Sequence, residues 1–150
     1  MLDKFRARRS EESGFTLVEL LVVMLILGIL AAIAIPAFFS QRDKGYDSDA
    51  KANARTVQTA LETYAVDNGG RYTGATMANL SAIEGTITNM SGTGGGSVSI
   101  GTPAAATYTI VGTSDSGNTF TVTRAATGAV TFPCTTAGKA GCPSGTGGWG

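Results

Sequence analysis

Three groups of side chains in this 150-residue chain have the type and spacing to do chemistry. The first is Glu19, alone at the edge of an apolar run. The twenty residues from Leu20 to Phe39 carry neither a charge nor a polar side chain, a length that spans a bilayer as a helix. An ionised carboxylate costs about 2.5–3.5 kcal/mol at the centre of a membrane helix and less near an interface. Glu19 therefore either snorkels to water or is held for a charged partner. The second group is Cys134 and Cys142, each beside a proline (Pro133, Pro143). A membrane segment ahead of them implies an oxidising compartment, where such a pair reads as a disulfide closing a short loop; two free buried thiols are the alternative. By chain entropy the closure would contribute at most roughly 3 kcal/mol. Zinc is not implied, because two thiolates in a chain without histidine leave half a tetrahedral site unfilled. The third group, Asp47 and Asp49, reads as a solvated helix face rather than an acid/base dyad.

The wider composition narrows the function classes. With no histidine, no complete nucleotide-binding glycine motif and no cluster of metal-type ligands, the usual catalytic constellations are missing. An enzyme is disfavoured and no cofactor is implied. Gly94-Gly95-Gly96-Ser97 lacks the lysine of a phosphate loop and reads as linker. Eleven basic residues balance eleven acidic ones, so partners chosen by bulk electrostatics, nucleic acid included, are not expected. Asn79-Leu80-Ser81 and Asn89-Met90-Ser91 match the glycosylation sequon, a pattern too short to carry weight.

These residues need elements to position them. Residues 1–14, MLDKFRARRSEESG, hold Lys4, Arg6, Arg8 and Arg9, which places the N-terminus on the cytoplasmic side. Beyond Phe39, Tyr46, Ala50, Ala54, Val57, Leu61 and Tyr64 recur at helical spacing, and Asn68, Gly69 and Gly70 end the pattern. Pro36 and Gly45 would kink a helix rather than stop it. The spacing thus predicts one helix from about Phe15 to Asp67, roughly 80 Å long at its rise per residue. Arg71 to Gly96 lacks sustained periodicity and is expected to connect, with short elements at most. The period then changes to two. Tyr108 and Ile110, Phe120 and Val122, and Val130 and Phe132 predict three antiparallel strands, with a fourth around Val98 and Ile100. Their apolar face would pack on the stripe of the helix's second half. The glycine-rich tail should be irregular, with Trp149 packing back or fraying.

Gly14-Phe15-Thr16-Leu17-Val18-Glu19, then the apolar run and Pro36, resembles the N-terminus of type IV prepilins and the related pseudopilins. The resemblance implies an α+β, type IV pilin-like fold, a long N-terminal helix packed on a small antiparallel sheet. It divides the chain into a leader (1–14), a transmembrane and filament-core helix (15–39), an amphipathic helix half (40–67), a connecting loop (68–96), and a sheet with a disulfide-closed region and tail (97–150). It further implies that a prepilin peptidase cuts between Gly14 and Phe15 and methylates the Phe15 amino group. In a water-poor filament core, Glu19 would pair with the Phe15 ammonium of a neighbouring subunit and set the axial register. Between Gly28 and Pro36 the helix would lose hydrogen bonding during assembly, a mild kink being the alternative.

The implied product is a homopolymer built by an assembly platform and its ATPase. The subunit would be single-pass in the cytoplasmic membrane before assembly and on the cell surface afterwards, serving motility or adhesion. A major pilin is the first reading; a type II secretion pseudopilin, or a minor or competence pilin with a binding role, is the alternative. Major secretion pseudopilins usually carry an acidic calcium loop near the C-terminus, whereas Asp115 is the only acid after Glu84 here, so no metal is expected. The cysteine pair also resembles pilins more, while YAVDNGGRY resembles the helix end of pseudopilins.

Overall fold

A computed structural model describes residues 14–92, 94–145 and 148–150. The expected leader lies outside the described residues except for Gly14. Contacts divide the chain into two units, one ending at Phe38 and one running from Phe39 to Gly150. Helix α1, Leu17–Asp67, contributes residues to both.

In the first unit α1 is apolar on every face, and every residue from Gly14 to Phe38 is exposed. A helix greasy all round is stable only in apolar surroundings, lipid or other helices. Among the described residues it is the one helix long and apolar enough to cross a membrane. Gly28 and Pro36 both lie within its continuous helical span.

In the second unit α1 becomes amphipathic. Asp47, Ala50, Ala54, Val57, Ala60, Leu61 and Ala65 are buried, a stripe at spacings of three and four. After α1 come a short helix α2 (Met77–Ile83) and a 3-10 turn (Gly85–Met90), whose Leu80 and Ile87 enter the core. Thr76 starts α2 with a capping box: its hydroxyl accepts from Asn79 N, and Asn79 Oδ1 accepts from Thr76 N. The expectation of short elements in this connection is met by these two.

The sheet is β1 (Val98–Ile100), β2 (Tyr108–Thr113), β3 (Thr119–Arg124) and β4 (Val130–Thr131), antiparallel and in sequence order. The register pairs Ile100 with Ile110 and Ile110 with Val122, so one face is apolar and meets the helix stripe. The opposite face carries Ser99, Thr109, Thr113, Thr119, Thr121, Thr123 and Thr131. Helix and sheet approach closely at Gly112, where a Cβ would sit 2.6 Å from the Ala50 carbonyl oxygen. Glycine is required there by space, since a side chain would strike backbone.

The tail packs back. Trp149 Nε1 donates to Thr121 O (3.2 Å) and Pro133 O (3.1 Å), and its ring meets Phe120 and Phe132 edge-on. The Arg55 guanidinium covers Phe132 at 4.0 Å and Trp149 at 5.2 Å, a cation over two aromatic faces.

Candidate functional site

The residues with expected roles at the N-terminus are contiguous and solvent-facing. Gly14 and Phe15 precede α1, and Phe15 is 83% exposed. Thr16 and Glu19 then close a reciprocal cap. Glu19 Oε2 accepts from Thr16 N at 2.8 Å and Thr16 Oγ1 at 3.0 Å, while Thr16 Oγ1 accepts from Glu19 N at 3.1 Å. This is the Thr-x-x-Glu capping box, which satisfies donors that a helix start leaves orphaned and places an anion at the positive end of the dipole. Glu19 thus has a partner inside its own chain, an alternative to snorkelling or intermolecular pairing that the sequence reading missed. The Thr16-Leu17-Val18-Glu19 spacing carried that signal.

The second unit contains the chemistry that the sequence reading misjudged. Asp47 is not on a solvated face; it is fully buried. Its spacing of three from Ala50 puts it on the apolar stripe, and the β2–β3 turn and the C-terminal loop supply its solvation. Oδ1 accepts from Ser114 Oγ at 2.6 Å and from Ser116 Oγ. Oδ2 accepts from Asn118 Nδ2 at 2.9 Å and Gly141 N at 2.8 Å. Burial pushes the Asp47 pKa upward, but these four donors outweigh it and hold the carboxyl below its usual value. Asp49, by contrast, is exposed, as expected.

The disulfide frames the same cluster. Cys134 and Cys142 are bonded with Cα atoms 5.9 Å apart. The loop they close presents Gly141 N to Asp47, Lys139 O to Asn118 Nδ2 (3.2 Å) and Gly141 O to Lys51 Nζ (2.5 Å). One carboxylate therefore ties α1, the β2–β3 turn and the disulfide loop together. A side chain at Gly141 would collide with Asp47, its Cβ falling 2.7 Å from the Asp47 Cβ.

A second polar knot lies at the other end of the sheet. Glu62 accepts from Tyr72 OH (2.6 Å) and Tyr108 OH (2.8 Å), and Arg124 stands 3.9 Å away. Burial, then the bond to Glu62, pushes Tyr72 up to about 12, and Tyr108 is raised by the same causes in the same order. These groups stay neutral donors across physiological pH and do structural work. Arg124 is half-buried against Tyr72 rather than a free surface charge. Among the described residues no group of three or more His, Cys, Asp or Glu side chains could hold a metal ion.

Residues 9–35 match the prokaryotic N-terminal methylation motif. The type II secretion system core protein G of Pseudomonas aeruginosa is 43% identical over 61 residues, 41% of this chain and 43% of that protein. The type IV major pilin protein PilA of Myxococcus xanthus is 47% identical over 51 residues, 34% of this chain and 23% of that one. The type IV major fimbrial protein FimA of Dichelobacter nodosus is 36% identical over 104 residues, 65% of this chain and 67% of that one. The chain belongs to the type IV pilin and pseudopilin family. The matched segment spans under half of the first two relatives. No solved structure matches at a significant level. The α+β pilin-like fold expected from the N-terminal motif is the fold observed, a long helix on a four-stranded antiparallel sheet.

Proposed function

We propose that this pilin-family chain is the major structural subunit of a type IV pilus, polymerised through the apolar half of α1. The observation that carries this reading is the stem itself: an apolar helix with no buried residue between Gly14 and Phe38, in a chain that aligns with a major fimbrial protein over 104 residues. Such a surface has two stable destinations, a bilayer and a bundle of its own copies. In this reading the first fourteen residues are the leader, a prepilin peptidase cuts after Gly14, and the new Phe15 amine is methylated. Residues 15–39 form the filament core, and the head over 40–150 forms the outer surface. The chain performs no catalysis; its partners are its own copies, the peptidase, the assembly platform with its ATPase, and the membrane. The precursor is single-pass with its N-terminus inside, and the polymer stands on the cell surface.

Within a filament, Glu19 would exchange its bond to Thr16 N for the Phe15 ammonium of a neighbour, and the stretch from Gly28 to Pro36 would be where helical bonding yields. Glu19→Ala tests the first point: membrane insertion of the precursor should persist while filament yield falls sharply, and normal filaments from that variant would remove the role. A secretion pseudopilin is the second reading, favoured by the higher identity of the core protein G match, though over 61 residues against 104. Shearing the cells separates the two. A major pilin is abundant in the sheared surface fraction, whereas a pseudopilin stays with the membranes.

A further inference from the structure

The end of α1 carries chemistry that polymerisation does not use. The helix closes at Asp67, and Asn68, Gly69 and Gly70 form an exposed turn. Gly69 and Gly70 adopt φ of +66° and +79°, and Gly70 N donates to Ala65 O at 2.7 Å, the long bond of a Schellman closure. Asn68 holds Tyr64 O through both its backbone N (3.1 Å) and its Nδ2 (2.8 Å). The Gly69 amide donates to no acceptor among the described residues.

We propose that Asn68-Gly69 is a site of spontaneous deamidation. Glycine without a Cβ leaves its amide nitrogen unshielded beside the preceding side chain. That nitrogen, on losing its proton, attacks Asn68 Cγ. A C–N bond forms, the Cγ–Nδ2 bond breaks and ammonia leaves, giving a five-membered imide. Water then opens the ring at either carbonyl, producing an α-linked or a β-linked aspartate in place of Asn68.

The other four asparagines are internal controls. Asn53 precedes Ala54 inside α1, where helical bonding engages the following amide and the following residue carries a Cβ. Asn79 precedes Leu80 and is engaged in the capping box of α2. Asn89 precedes Met90 in the 3-10 turn, and Asn118 precedes Thr119 and is 1% exposed. Asn68 alone joins a following glycine, an exposed turn and an unengaged nucleophile. The product replaces a donor to Tyr64 O with a carboxylate at the negative end of the helix dipole, beside Asp67, so the cap of α1 loosens as the protein ages.

The test is incubation of the full chain in detergent micelles at mildly alkaline pH, followed by peptide mass spectrometry and enzymatic methylation of β-linked aspartate. The expected result is loss of the Asn68 amide, with both isomers appearing, while Asn79 and Asn89 keep theirs. Gly69→Ala should slow the loss even though alanine at this positive φ strains the cap, a change that alone would speed it; Asn68→Gln should abolish the β-linked product. Retention of the Asn68 amide under conditions that convert the unfolded peptide YAVDNGGRY would overturn the proposal, as would conversion of Asn79 or Asn89 at the same rate.

Discussion

Removing the Asp47 carboxylate should loosen the head from its helix. Four donors converge on it, two hydroxyls, one amide side chain and one backbone N–H. A hydrogen bond to a charged group contributes about 1.5–3 kcal/mol, and clustered bonds do not add. After Asp47→Ala, Ser114 and Ser116 can bond each other (Oγ to Oγ 3.1 Å) and Asn118 keeps Lys139 O, which strands Gly141 N and leaves the turn unanchored. The expected loss is about 3 kcal/mol, the value of charge-assisted bonds that do not add together with the penalty for one stranded donor. Asp47→Asn keeps one acceptor but turns an NH2 toward a donor, and should cost about 1–3 kcal/mol. Trp149, the chain's one tryptophan, packs on Phe120 and Phe132 and reports the head's unfolding by fluorescence in urea. A fall in midpoint at constant slope gives the loss. The pH profile supplies a second reading. The Asp47 pKa is lowered on folding, so its contribution is fully present above the ordinary aspartate value near 3.9 and is lost as pH falls through the lower folded value. Wild type should lose stability in that acid window and Asp47→Asn should lose less of it. A cost under about 1 kcal/mol for Asp47→Ala, the size of a single ordinary bond, would refute the keystone role.

Three further outcomes follow from the same contacts. Reduction of Cys134–Cys142, which are eight residues apart, should lower the head's stability by about 2–3 kcal/mol, read as a lower urea midpoint, and speed hydrogen exchange at the Gly141 amide. Gly112→Ala forces a methyl against the Ala50 carbonyl and should cost about 1–3 kcal/mol by separating helix from sheet, whereas Gly117→Ala in the open turn should act only through its positive φ. Tyr72 is raised to about 12, so its neutral form contributes stability that is complete below the ordinary tyrosine pKa and lost as pH rises through the folded one. Glu62→Gln should lower the tyrosine absorbance midpoint only in part, because burial is the larger cause.

Periodicity made most of the head legible. The α1 stripe at Ala50, Ala54, Val57 and Leu61 and the alternation in β2 and β3 each named the buried face, because one face of each had to leave water. The stripe's start was misplaced: Tyr46 is only half-buried, and Asp47 occupies the position facing the sheet. A carboxylate on an apolar face becomes readable only when its donors are known, and those lie in Ser114, Ser116, Asn118 and Gly141, distant in sequence and brought in by the hairpin turn and the disulfide loop. Local rules, by contrast, are sufficient for both capping boxes, Thr16 with Glu19 and Thr76 with Asn79, yet the sequence reading contains neither and gives Glu19 only water or a partner outside the chain. The roles of Gly14, Phe15, Gly28 and Pro36 depend on a peptidase and a polymer, and a single chain's contacts do not encode them.

Processing of the subunit and its polymerisation through the stem are both read from the intact mass and N-terminal sequence of the protein in a surface-sheared fraction. The expected result is a dominant species that begins at Phe15 and carries one methyl group on its amine. A chain recovered with Met1 still attached, in membranes and not in the sheared fraction, would contradict it.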